Sequence, residues 1–501
     1  MRRRCKTPFR RRSRVIAGLV SRTAIISITR FMNQGLLVIS PILLVRLLSV
    51  EEFGRYREFL LYAGLLTSIC AFGINNSLLY FIPSRPNSVR QMVRQALAMT
   101  FGTSVLVLGI TLLADFLSNG AILGGLQLPV ALYVLLFVNL DFWEFYWLSL
   151  KRPVPVFAYT TGRLVARIVV VVTAASIWRD VMPIIWALIG LEAVRIAVSL
   201  IAWHRASRSI DRADQQAEES CWREQFQYCL PVGLALILVT LNKSLGNLFV
   251  TKTLGVVALA HYSIGTHIQP VIGVLRNSIS DAVLPELAAL KSAKGEGALA
   301  LWRRSTVVSM ILLTVAGVVL FEFAHTFVVT LFSPSYEPAV LIFQIYLLVL
   351  VREVFDFGVA LRAVNKTAPI VTSSLFAILL NLLLLVTVMP IWGLPAAALA
   401  FVISRWTEGL VLSRSTMRAY NIGIKDLARW GDLGKVALAA ALASVVFIGS
   451  FWIDYFGLAG VMLGSAVFMA LFLILLVLFR VPEVAAMLGR LRKTEAAPAK
   501  P

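Results

Sequence analysis

Residues 40–83 read SPILLVRLLSVEEFGRYREFLLYAGLLTSICAFGINNSLLYFIP. One apolar run ends near Leu48. A short charged segment follows, Glu51-Glu52-Phe53-Gly54-Arg55-Tyr56, and a second apolar run extends to Ile82 and stops at Pro83. Two hydrophobic segments joined by so brief a polar interruption predict a helical hairpin that crosses a bilayer twice, with the charged segment as its turn. The rest of the chain repeats the pattern. Of 501 residues, 59% are hydrophobic and 15% charged, and the mean hydropathy is +0.83. Soluble chains average about 45–50% apolar, so this one has too little polar surface to cover its core. Its apolar runs near 20 residues each match a hydrocarbon layer of roughly 30 Å. No alternating polarity marks barrel strands. The fold class is an all-α polytopic membrane protein.

The opening stretch has an echo. Arg46-Leu-Leu-Ser-Val-Glu-Glu-Phe-Gly-Arg-Tyr56 aligns without gaps on Lys252-Thr-Leu-Gly-Val-Val-Ala-Leu-Ala-His-Tyr262. In both, a cation is followed two residues on by Leu and ten on by Tyr. Asn76-Ser77 before Pro83 is loosely repeated as Asn277-Ser278 before Pro285. This is an internal duplication, and transporters are often built from two such bundles with the substrate between them.

The pattern Arg-Leu-Leu-x-x-x-Glu-Phe-Gly-x-Tyr resembles polysaccharide-type flippases, relatives of the multidrug extruders and lipid II flippases. Ser49-Val50 departs from the Gly-Pro common there, and Ala260 replaces a usual Gly. The resemblance implies two six-helix bundles, with spans 1, 2, 7 and 8 lining a central cavity. It implies a lipid-linked oligosaccharide as cargo, a bacterial inner-membrane location, and polysaccharide polymerase and glycosyltransferase machinery as partners.

About 14 spans are expected from run length, centred near Met32, Leu66, Val107, Leu136, Val170, Leu191, Leu238, Val271, Leu313, Leu347, Leu379, Phe401, Leu442 and Phe468. Net charge is +21. Its cations concentrate in alternate turns, including Arg85/Arg90/Arg94, Lys151/Arg152, Lys291/Lys294 and Arg414/Arg418/Lys425/Arg429. The positive-inside rule therefore predicts that both termini are cytoplasmic. The basic start MRRRCKTPFRRRSR is expected as an uncleaved tail on anionic lipid, each cation worth about 1 kcal/mol near the surface, rather than a nucleic-acid arm. The expected organisation is a basic tail (1–21), a six-helix bundle (22–203), a cytoplasmic linker (204–225), a second bundle (226–413), a linker with helices 13 and 14 (414–480) and a cytoplasmic tail (481–501). The four cysteines form no CxxC pair, and no cofactor or metal is expected.

Ionisable residues in mid-membrane cost about 2.5–3.5 kcal/mol each on insertion scales. Glu192/Arg195, Arg352/Asp356 and Arg405/Glu408 are spaced to pair on one helix face, and Glu322 with His325 similarly. Arg30 sits with Asn33 and Gln34 in span 1. Arg163 and Arg167 share a face of span 5. Lys243 lies beside Asn242 in span 7, and Arg276 beside Asn277 in span 8. None has an acid three or four residues away on its own helix. Together they are candidates for a cationic cavity, in which Arg grips phosphate oxygens bidentately and Lys acts as a point charge. The competing reading is that Asp141 and Glu144 neutralise Arg163 and Arg167 across helices. Asp141/Glu144 and Glu353/Asp356 are also candidates for a coupling cation. Otherwise the membrane potential would supply roughly 4–5 kcal/mol for two charges moved outward across 100 mV.

Taken together, the chain reads as a monomeric, non-enzymatic flippase for a polyprenyl-diphosphate-linked oligosaccharide. A multidrug exporter is the first alternative, disfavoured by the basic cavity and two extra spans. A membrane-bound polymerase or ligase is the second. It is disfavoured by short external loops, four scattered histidines, and the lack of HExxH, Walker A or GxSxG patterns.

Overall fold

The computed structural model describes residues 32–85, 88–210, 222–267, 273, 276, 283, 287, 296–364, 366, 368–448 and 451–484. Among these the chain is all helix, turn and bend, with no strand. Among the described residues, ten helices are long and apolar enough to cross a membrane, from Val50–Ser84 to Ala459–Leu478. They contain ten of the fourteen expected span centres. The other four centres lie outside these ten helices. Met32 begins the 16-residue helix Met32–Leu47, whose upstream residues lie outside those described. Val271 also lies outside them. Leu347 ends the short helix Ala339–Leu347 in a span broken into pieces. Leu442 lies in the helix Trp430–Ile448.

The charged segment expected to be a turn is helical. The interruption is one step earlier, at Leu48-Ser49, and a helix runs Val50–Ala71. Ser49 and Glu52 stand at capping-box spacing, and the Ser49 hydroxyl accepts the Glu52 amide at 3.2 Å. Glu51 and Glu52 then lie in the first turn, where the helix dipole favours acids. Glu52 also accepts the Val181 amide at 2.8 Å, capping the helix Val181–Ile210. The aligned position in the echo behaves alike. Gly255 (φ 83°) breaks the helix Trp222–Gly265 at the place that Ser49 holds in the first copy. The conserved pattern positions match in burial: Phe53 with Leu259, Gly54 with Ala260, and Tyr56 with Tyr262 are all buried.

The chain divides into two compact units, Met1–Thr251 and Lys252–Pro501. In the first, a core of Ile74, Leu78, Phe81, Met92, Phe142 and Cys229 joins segments far apart in sequence. A tight backbone crossing lies beside it. Phe72 and Gly73 both take positive φ (42° and 65°), turning Val50–Ala71 into Ile74–Ser84. That corner presses on Gly233, where an added Cβ would lie 2.5 Å from the Phe72 carbonyl oxygen. Gly233→Ala is expected to cost about 1–3 kcal/mol by overpacking, read as a lower melting temperature of the purified protein. Ser68 and Thr240 add a hydrogen bond of 3.0 Å between the same helices.

In the second unit, one core joins Trp302 and Leu412 to Phe357, Ala360 and Leu361. Another packs Val307 and Phe323 against Val436, Ala443, Phe468 and Phe472. The two helices following the second expected bundle thus pack on Glu296–Glu322.

Candidate functional site

The intramembrane charges gather where helices break. In the first unit, Gln127–Val138 stops and Trp143–Ser149 starts after residues 139–142, with Leu140 at φ 59°. Such a break frees carbonyls that lipid cannot hydrogen-bond, so protein must do it. The Arg195 guanidinium does so. It donates to the carbonyls of Leu136 (2.5 Å), Asn139 (3.0 Å), Phe137 (3.1 Å) and Leu140 (3.2 Å). Its Nε meets Glu192 at 2.5 Å. Glu192, almost fully buried, also takes Arg163 at 3.2 Å. Arg163 meets Asp141 at 2.7 Å and lies over the Phe137 ring at 4.3 Å. Tyr159 donates to the same Asp141 oxygen at 3.0 Å. Asn33 accepts from Thr161 at 3.0 Å, so the first described helix touches the Arg163 helix.

The second unit repeats the plan. Its broken helix is Val349–Glu353 followed by Phe357–Ala363. Asp356 caps the second piece, accepting the Val359 amide at 3.1 Å. Asp356-Phe357 stands here where Asp141-Phe142 stands in the first unit, and both phenylalanines are buried. Glu353 takes three guanidiniums: Arg405 at 2.6 Å, Arg276 at 2.7 Å and Arg352 at 3.3 Å. Glu408 takes Arg405 and, at 3.8 Å, Arg352. Each unit therefore sets an Arg–Glu pair of a later helix, Glu192/Arg195 or Arg405/Glu408, under a break in an earlier one.

The structure brings Arg163 to Asp141 and Arg276 to Glu353, joining expected cavity cations to expected coupling acids. The Glu192/Arg195 and Arg405/Glu408 pairs form as the spacing predicts. Arg352 turns to Glu353 and Glu408 rather than Asp356, and His325 meets Glu337 at 3.5 Å rather than Glu322. Glu144 sits half-buried in the first turn of its short helix. Gln34 and Asn242 are half-buried, and Lys243 is exposed with no ion pair among the described residues. Arg30 and Asn277 lie outside the described residues.

Two cations stand apart from these networks. Arg57 and Arg167 are half-buried and make no hydrogen bond or ion pair with the described residues. They lie within electrostatic reach of each other, and Arg167 also feels Tyr56, Tyr133, Glu192 and Arg163. The local sum is Arg57, Arg163, Arg167 and Arg195 (+4) against Asp141 and Glu192 (−2), leaving +2. Arg57 gives no site signal in the sequence, where the charged segment reads as a turn. The Ser49-x-x-Glu52 cap is the signal that puts Arg57 inside a helix.

Residues 19–291, more than half of the chain, match the family model described as polysaccharide biosynthesis protein. The chain belongs to that family. Among solved structures, this family member is similar to the lipid II flippase MurJ in its inward-closed conformation. The TM-score is 0.69 at 13% identity, over 91% of this chain and 98% of that one. It is also similar to an inward-facing multidrug-resistance MATE transporter. There the TM-score is 0.55 at 14% identity, over 79% and 98% of the respective chains. At such identities the likeness is one of fold. No curated protein matches the chain. The molecule is a multi-pass membrane protein of a flippase and transporter fold, in a polysaccharide biosynthesis family.

Proposed function

We propose that this protein carries a polyprenyl-diphosphate-linked oligosaccharide from the cytoplasmic to the outer leaflet of a bacterial inner membrane, by alternating access, for surface polysaccharide assembly. Both termini are cytoplasmic in this reading, by the charge bias. The observation that carries it is the Arg57/Arg167 pair. Neither guanidinium has a carboxylate in hydrogen-bond or ion-pair contact among the described residues, the two repel each other, and an anion between them removes that cost. A diphosphate offers oxygens in the planar, bidentate geometry that Arg matches best. Lys243, exposed on a span of the same unit, adds a point charge. Arg30 keeps its proposed role beside Asn33 and Gln34.

Arg163 and Arg276 take a different role in this reading. Their contacts with Asp141 and Glu353 hold the broken helices in shape. The same engagement argues against those acids as coupling-cation ligands and favours the membrane potential as the drive.

The test is flipping of a lipid-linked oligosaccharide in proteoliposomes, with surface polysaccharide measured in cells. Arg57→Ala and Arg167→Ala should each lower transport roughly tenfold or more, the loss expected for one charge-assisted contact. The Arg57→Ala protein should hold its melting temperature, since that change relieves a repulsion and breaks no ion pair among the described residues. Arg57→Lys should keep more transport than Arg57→Ala. Normal transport in both alanine variants would sink the assignment.

A further inference from the structure

The second unit carries a basic groove that the transport reading does not use. An open cavity of about 400 Å³ is lined by Ala300, Arg303, Arg304, Arg429, Pro482 and Glu483. These come from the start of one spanning helix, the approach to Trp430–Ile448 and the exit of Phe451–Leu478. The groove therefore sits at helix ends, at the level of lipid headgroups. Trp430, exposed beside it with its indole N–H on the Ile424 carbonyl at 2.8 Å, is the residue type that marks that layer.

Its polar atoms are unevenly satisfied. Arg429 meets Glu483 Oε1 at 2.6 Å and Asp432 at 2.7 Å, and Arg304 approaches the same Glu483 oxygen at 3.9 Å. Arg303 spends one terminal nitrogen on the Asp426 carbonyl. Glu483 is buried, yet its Oε2 has no hydrogen-bond partner, and the buried Nε of Arg303 has none either. Both side chains line the groove, one holding an unmet acceptor and the other an unmet donor, each closed to solvent. A buried orphan of either kind costs about 1–3 kcal/mol, so an occupant with both functions is favoured.

We infer that this groove binds the headgroup of a bulk phosphoethanolamine lipid, with the phosphate on Arg303 and Arg304 and the ammonium on Glu483 Oε2. The ethanolamine headgroup pairs an anion with a charged N–H donor. A choline headgroup has no N–H to give Glu483. A glycerol headgroup donates only through neutral hydroxyls. The occupant is a structural lipid at the edge of the last two helices. The test reads lipid binding, not transport, so its outcome is independent of the proposed cargo.

The experiment is lipid titration of the full-length, delipidated protein, followed by native mass spectrometry, with phosphatidylethanolamine, phosphatidylglycerol and phosphatidylcholine of identical chains. Phosphatidylethanolamine should bind about tenfold tighter than phosphatidylcholine, the value of one charge-assisted contact. Glu483→Gln should bring the two together. Arg304→Gln, at a side chain 53% exposed and so tolerant of change, should weaken all three lipids. Equal binding of phosphatidylethanolamine and phosphatidylcholine by the parent protein overturns the inference. So does phosphatidylglycerol matching phosphatidylethanolamine, because the ammonium would then be irrelevant. Displacement of the lipid by inorganic phosphate alone would reduce the groove to an ion site and overturn it as well.

Discussion

Glu353→Gln should lower the stability of this protein by about 3–5 kcal/mol, the usual cost of removing one partner from a buried ion network. Glu353 is the carboxylate shared by Arg276, Arg352 and Arg405, so its loss leaves Arg352 and Arg405 with Glu408 as their remaining ion-pair partner among the described residues. Arg352 and Glu408 are themselves buried, which leaves little water to compensate. The effect should appear as a lower melting temperature and lower yield from membranes. Pairing the change with Arg276→Gln should recover part of the loss, because one uncompensated charge disappears with its partner. A single variant that melts like the parent would mean that the cluster is held by something other than Glu353.

Arg195→Ala should be comparably severe, for a different reason. Here the guanidinium is chiefly a hydrogen-bond donor to a broken helix, serving four carbonyls at once. Alanine leaves those carbonyls facing an apolar interior and leaves Glu192 with Arg163 as its remaining ion-pair partner. Several orphaned acceptors at about 1–3 kcal/mol each, partly relieved by entering water, give a loss of about 3–5 kcal/mol. Arg195→Lys should recover only a fraction, since one ammonium cannot span the carbonyl fan and Glu192 together. Equal melting of the Lys variant and the parent would show that charge alone suffices.

Much of the architecture was legible in the residues, because bilayer thickness turns span number into a count of apolar runs. Ten of the expected centres fall in long helices for that reason. What run length does not show is a break inside a span, where hydropathy stays high while the backbone leaves the helix. Leu140 and Gly255 show this, since neither lowers the local hydropathy enough to be noticed. Charge pairing within one helix was legible at Glu192/Arg195 because three-residue spacing places both side chains on one face. Pairing between helices was legible only as two competing readings for Arg163. Its outcome depends on the fold that carries Asp141 and Glu192 to it. Arg57 is hidden when residues 51–56 are read as a turn, because the helix in fact begins at Val50 behind the Ser49 cap.

The duplicated corner at Ser49 and Gly255 carries a consequence for sequence drift. Each corner fixes the rotational phase of the helix that follows it, and one residue is about 100° of helical rotation. Deleting a single residue just after Gly255 would swing Tyr262 away from Tyr346, whose hydroxyl it now meets at 2.9 Å. Insertions and deletions should therefore be tolerated in the polar connectors between spans and purged from these two corners.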